Sequence, residues 1–223
     1  SLFTPADNLE DRFDATFEFE FEPRYNAAPG QSLPVITDTD SDSVRRLEWG
    51  LVPRWANDKS ERHINARSET VSHKPAFADA YEQRRCLVLA DGFYEWVETT
   101  DGKQPYRVAF EDDRPFAMAG LWERWRPEAR QTGLGDFSGE STGQSNPEPI
   151  ETFTVLTTEP NEIVEPLHHR MAVILEPNEE KTWLTGGTIS FEPVSSDPLR
   201  SDPISTAINS PANDSPELVR PIE

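Results

Sequence analysis

An α+β fold, mainly of antiparallel strands with a few short helices, is what the chain's patterning predicts. Three observations carry this. Apolar residues alternate, or cluster in short runs, at strand spacing along most of the 223 residues. Helical spacing is confined to a few short segments. There is no strand–helix–strand alternation, no Gly-rich phosphate loop and no internal repeat, which argues against a doubly wound sheet or a solenoid.

Taken in order, residues 7–15 (DNLEDRFDA) read as a helix capped by Asp7 or Thr4, with Leu9 and Phe13 four apart on one face. Thr16–Glu22 (TFEFEFE) alternates strictly and predicts a half-buried strand with Phe17, Phe19 and Phe21 on one side. Arg24–Gln31 is a turn-rich loop. Leu33–Thr37 and Leu47–Val52 follow as strands, the second ended by Pro53, which has no N–H to give to a ladder. Lys74–Arg84 places Phe77, Ala80 and Tyr81 at helical spacing, with Pro75 in the first turn. Cys86–Ala90 is a buried strand, turned by Asp91-Gly92 into Phe93–Glu98. Pro105–Phe110 and Pro115–Trp122 extend the antiparallel sheet around Asp101-Gly102 and Asp112-Asp113. Residues 126–150, rich in Gly, Ser, Pro and Glu, read as a flexible insertion between two strands of one sheet, the later one Thr152–Thr157. A short helix over Glu159–Leu167, a strand over Met171–Leu175 and a helix over Glu179–Leu184 complete the list. Residues 193–223 taken alone read as a tail. The chain, 1–223, is expected to form one domain.

Acidic residues number 41 against 21 basic, a net charge of -20, and lysine is scarce beside arginine. This predicts a halophilic surface suited to very high salt, where a Debye length of about 3 Å screens self-repulsion. It argues against general DNA binding at low salt. The charge is uneven, however. Residues 45–85 hold nine basic and six acidic side chains, so a polyanion is expected to meet the protein there. The lone Cys86 excludes a disulfide within the chain and a Cys-rich zinc site, and its apolar neighbours place the thiol in the core. The four histidines lack metal-ligand spacing, so neither metal nor cofactor is expected. No apolar run approaches a membrane span and no leader pattern is visible, which makes a cytoplasmic monomer the expected form.

Glu95 lies among Phe93, Tyr94 and Trp96. An aromatic setting strips water from a carboxylate, raises its pKa and suits it to proton transfer. His168 stands at the mouth of the apolar run after Arg170, where an imidazole can shuttle protons. Asn65 and Arg67, two apart on extended backbone, present an amide and a guanidinium to one side, the first to orient a small group and the second to hold a phosphate. Trp55 is open to stacking on a base or to packing, whereas Trp49 is assigned to the core.

Eight ordered stretches, RYNAAPGQ (24–31), WGLVPRWA (49–56), INARSETV (64–71), RRCLVLADGFYEW (84–96), PFAMAGLW (115–122), TFTVLTTEPN (152–161), HHRMAVIL (168–175) and PISTAINSPANDSPELVRPI (203–222), resemble the SOS response-associated peptidase (SRAP) family. That resemblance implies action on abasic sites in single-stranded DNA, a mainly antiparallel, twisted and barrel-like sheet with short peripheral helices, a fold that includes residues 203–222, and self-processing of the amino terminus. It also implies that a cysteine in a Met-Cys-Gly-Arg-Tyr start captures the ring-opened sugar aldehyde as a thiazolidine. Asn65 would orient the amino-terminal group, Glu95 would move protons, and His168 would assist transfer and crosslink reversal. Arg67 would hold a flanking phosphate, with Trp55, Arg24 and Arg170 beside the strand. Two departures stand out: this sequence starts at Ser1, where the family pattern continues after Met-Cys-Gly-Arg-Tyr, and HHRMA replaces His-Asp-Arg-Met-Pro. Two other readings of the residues stay open, a non-catalytic reader of single strands or junctions and a hydrolase using Glu95 and His168 on small molecules or peptides.

Overall fold

The computed structural model describes residues 1–100, 102–127 and 148–222. The chain opens with helix α1 (Ala6–Phe13) and a two-residue strand β1 (Thr16–Phe17), followed by β2 (Ser32–Thr37), β3 (Asp40–Trp49), β4 (Asn65–Arg67) and helix α2 (Ala78–Gln83). Next come β5 (Arg85–Ala90), β6 (Phe93–Thr99), β7 (Gly102–Phe110), β8 (Phe116–Trp125) and β9 (Ile150–Thr158). Two short strands, β10 (Met171–Ala172) and β11 (Ile174–Leu175), precede helix α3 (Pro177–Leu184) and β12 (Leu199–Pro203). The fold is α+β, as the patterning predicts.

Strands β3, β2, β5, β8 and β9 pair in that order, each antiparallel to the next. A parallel pairing of β3 with β9, Trp49 opposite Phe153, closes them into a ring. β4 continues along the same edge of β9, with Asn65 opposite Val155 and Arg67 opposite Thr157. A second, three-stranded antiparallel sheet runs β12–β7–β6.

Both faces of the ring are covered. On one, Val88, Ala90, Met118, Phe153 and Val155 pack with Val108 and Phe110 of the second sheet. On the other, Leu87, Leu89, Ala119 and Leu121 meet Leu9 of α1, Ala80 of α2 and Trp183 of α3. Double coverage is why CLVLA and its partner strand read as unbroken apolar runs. β5 and β8 approach closely at Gly120, where an added Cβ would sit 2.8 Å from Cys86 Sγ and 3.0 Å from the Thr154 carbonyl oxygen. Gly120→Ala should therefore destabilise the protein by about 1–3 kcal/mol in a urea melt, and an unchanged midpoint would refute this account of the packing. The Cys86 thiol is fully buried, and burial pushes its pKa up, as expected of a core cysteine.

Several local expectations need correction. Within Thr16–Glu22 only Thr16 and Phe17 pair, parallel to Ser43 and Val44 of β3. The alternation has a different outcome: Phe17, Phe19 and Phe21 pack on one another, with ring centroids 5.3 and 4.9 Å apart, and against the core. α1 has no side-chain cap, because Thr4 is bonded elsewhere. The helix expected over Lys74–Arg84 is regular only from Ala78, after a run of turns. Glu159–Leu167 forms turns, not a helix. Asn161 Oδ1 takes the Val164 N–H at 3.1 Å, and Pro166 has no N–H with which to propagate a helix. Met171–Leu175 is broken at Val173, which donates to Leu156 of β9 and accepts from Ala119 of β8 as the chain crosses between them. The insertion expected at 126–150 lies mostly outside the described residues. Its flanking strands pair directly, Trp125 opposite Ile150. The apparent tail is built into the fold, with Ile204, Ile208 and Leu218 buried against Tyr94. No helix among the described residues is long and apolar enough to cross a membrane.

Candidate active site

One cavity of about 680 Å³ collects all but one of the site residues singled out in the sequence, Trp55 being the exception. β4 supplies Asn65 and Arg67, both exposed, with Ala66 between them buried on the other side. β6 supplies Glu95, and the loop before β10 supplies His168 and Arg170. Ser1, the first residue of the chain, lies in the same wall, as do Arg24 and Trp49. Trp49, assigned to the core, is half-buried instead. Its ring stacks on Phe153 at 6.3 Å while its indole N–H donates to the Ile64 carbonyl at 2.9 Å.

Glu95 Oε1 stands 3.7 Å from His168 Nδ1. Burial lifts the carboxyl from 4.5 to about 7, only partly opposed by the imidazole beside it. Near neutral pH the group is therefore poised to give or accept a proton. His168 is oriented by its own loop: Nδ1 lies 2.8 Å from the Arg170 carbonyl oxygen, and its ring rests on His169 with centroids 4.3 Å apart. With the proton on Nδ1 the ring donates to that carbonyl, and Nε2 is left as an acceptor.

The chain's first nitrogen is desolvated, which lowers the amine to about 5 despite the opposing field of Asp91. It donates to the Gly92 carbonyl at 2.8 Å. An amine that is neutral at pH 7 is a nucleophile.

The cations behave differently from one another. Arg170 is bonded bidentately to Glu69 and also to the Thr157 carbonyl, and Arg24 pairs with Asp214 at 3.1 Å. Arg67 makes no ion pair or hydrogen bond among the described residues. Trp55 is not in the cavity wall: it is 59% exposed, and its N–H reaches the Pro75 carbonyl at 3.4 Å. Most of the basic window is neutralised within the fold. Arg45 pairs with Glu18 and Glu151, Arg54 and Arg84 with Glu123, and Lys59 and Arg62 with Glu48. A second, shallower groove of about 890 Å³ shares His168 but is lined by Glu159, Glu162 and Glu165, a poor surface for a polyanion.

Some of the residues that shape the site escape sequence reasoning. Asn26 is buried and donates to the carbonyls of Ile208, Ser210 and Asn213, which folds the C-terminal segment over the cavity. Asp214 accepts from the backbone N–H groups of Tyr25 and Asn26. Asp91 and Arg107 sit behind Ser1 with 0% and 2% exposure. The one available signal is an acid at the end of an apolar run, LVLAD, where burial is expected and charge is not.

A model of the SOS response associated peptidase (SRAP) family matches residues 1–211. The chain belongs to the SRAP family. Among its relatives, the abasic site processing protein YoqW of Bacillus subtilis (strain 168) is 36% identical, across 98% of this chain and 96% of that one. The abasic site processing protein HMCES of Gallus gallus is 33% identical, across 92% of this chain and 68% of that one. A solved structure of a protein from Bacteroides thetaiotaomicron superposes with a TM-score of 0.82 and 25% identity, covering all of this chain and 98% of the other. The resemblance read from eight stretches of sequence thus agrees with both the family match and the fold.

Proposed function

We propose that this chain is an abasic-site processing protein of DNA repair, acting on single-stranded DNA by covalent capture of the ring-opened sugar. The observation that carries the reading is the meeting of Asn65, Glu95 and His168 around one cavity that also receives the start of the chain. The names of the relatives support the same substrate class.

The chemistry follows from the side chains. An amino-terminal amine adds to the C1′ aldehyde, forming a C–N bond and a carbinolamine. Glu95, protonated below about 7, gives a proton to the carbinolamine hydroxyl, which leaves as water and yields an imine. Asn65 holds the amine toward the aldehyde. Where the chain begins with the family's cysteine, its thiolate then attacks the imine carbon and closes a five-membered thiazolidine, the nitrogen taking up a proton. His168 returns protons in the forward and reverse directions. Arg67, whose guanidinium has no ion-pair or hydrogen-bond partner among the described residues, takes a flanking phosphate, while Arg24 and Arg170 lie along the wall that the strand follows and Trp55 stacks at a distance from the reacting carbon. At high salt such local contacts outweigh counterion release.

Mass spectrometry with an oligonucleotide holding one abasic site tests the reading. A chain given Met-Cys-Gly-Arg-Tyr ahead of Ser1, freed of its initiator Met, should yield an adduct that needs no reductant. The chain starting at Ser1 should yield only an imine trapped by borohydride, since a hydroxyl closes the ring poorly. No adduct from either would sink the proposal. A reductant-independent adduct from the Ser1 chain would refute the role given to sulfur.

A further inference from the structure

Residues 1–4 are held by one corner of the fold. Asp91, the first residue between β5 and β6, accepts the Thr4 N–H at 2.8 Å and the Thr4 hydroxyl at 2.7 Å, and takes the Phe3 N–H on the same carboxylate. Its own N–H donates to the Ser1 carbonyl at 2.9 Å, and the next carbonyl, Gly92, accepts from the Ser1 nitrogen. Arg107 braces the corner from behind. One arm donates to the Asp91 carbonyl and the other to Asp113, each at 2.9 Å, and the guanidinium lies over the Phe3 ring. Phe3 in turn stacks on Tyr25.

The carboxylate of Asp91 is fully buried, yet no side-chain cation among the described residues forms an ion pair with it. Among those residues, every hydrogen bond it accepts comes from residues 3 and 4. Burying a carboxylate without a counter-charge is costly, and its compensation here is directed at residues 3 and 4. Glu95 stands four residues further on, in the strand that leaves the same corner. One rigid turn therefore fixes both the start of the chain and the proton-transfer group.

We propose that Asp91 is a positioning residue, clamping residues 1–4 so that the amino-terminal nucleophile is held at the cavity beside Glu95, a role that rests on the abasic-site reading above. Two readouts test it in the chain starting at Ser1. Amide hydrogen exchange at Phe3 and Thr4 should quicken about tenfold or more in Asp91→Ala, while amides of β5 and β8 keep their protection. The rate of borohydride-trapped imine formation at saturating abasic DNA should fall about tenfold or more, with the half-saturating DNA concentration unchanged. Thr4→Val, which removes one bond and leaves the charge satisfied by two, should show both effects more weakly and add nothing in the Asp91→Ala background. It also keeps the test alive should Asp91→Ala misfold. Unchanged exchange, or quickened exchange with an unchanged trapping rate, would overturn the proposal. Absence of an adduct from both this chain and the one given Met-Cys-Gly-Arg-Tyr fails the functional reading instead, and the exchange arm then decides separately whether Asp91 holds the segment.

Discussion

Glu95→Gln is expected to slow trapping of abasic DNA by about 100-fold or more while making the protein more stable above neutral pH. Both effects have one cause. Burial raises the carboxyl from 4.5 to about 7. Between those values the folded protein holds a proton that the unfolded chain has released, so stability falls as pH rises through the window and the loss is complete above about 7. Glutamine carries no such penalty. The variant should melt higher than the parent at about pH 8 and alike at about pH 4. The parent's trapping rate should be bell-shaped, rising as the Ser1 amine loses its proton near 5 and falling as Glu95 loses its own near 7. In Glu95→Gln the upper limb disappears. A parent rate that is flat from pH 5 to 8, or a variant that traps at the parental rate, would remove Glu95 from the reaction.

Trp183→Ala should produce the largest loss of stability, about 3–5 kcal/mol, or roughly 10 °C in melting temperature for a chain of this size. Trp183 is 0% exposed and joins α3 to the back of the ring. Its indole N–H donates to the Cys86 carbonyl at 3.1 Å, Arg85 lies 4.3 Å over its ring, and Tyr81 and Phe191 pack at 6.0 and 6.1 Å. Truncation leaves a cavity between helix and sheet and removes one of the two rings that Arg85 lies over. Trp183→Phe keeps most of the volume and should cost clearly less. Equal losses for the two variants would show that the hydrogen bond, not the packing, dominates.

The legible parts of the molecule were those where burial imposes a simple rule. CLVLA reads as a strand because both faces of β5 are covered. Glu95 and His168 stand out because a carboxylate among aromatics and an imidazole before an apolar run are chemically conspicuous, and they do meet. The first half of β3 was missed because Asp40–Ser43 are polar and largely open to solvent, so pairing rather than hydrophobicity holds them in line. The basic window carries less free charge than its count for a related reason. Charge counted along the chain ignores acids such as Glu123 and Glu151, which come from distant strands to neutralise it. The partners of Asn26 and Asp91 were invisible because they lie far along the sequence, and a hydrogen bond between remote segments leaves no periodicity.

The parallel seam between Glu48–Trp49 and Thr152–Phe153 bears on how the protein is made. The β2–β3 hairpin can form soon after it leaves the ribosome, but the strand that completes it is translated on the order of ten seconds later. Until then one flank of the nascent hairpin has bare backbone groups and is open to a neighbouring polypeptide. Arg45, Arg46 and Glu48 on that strand place charged side chains of both signs beside the gap. Such gatekeeping suits a chain whose closure must wait for late synthesis, and it makes delayed translation between residues 49 and 152 a route to aggregation.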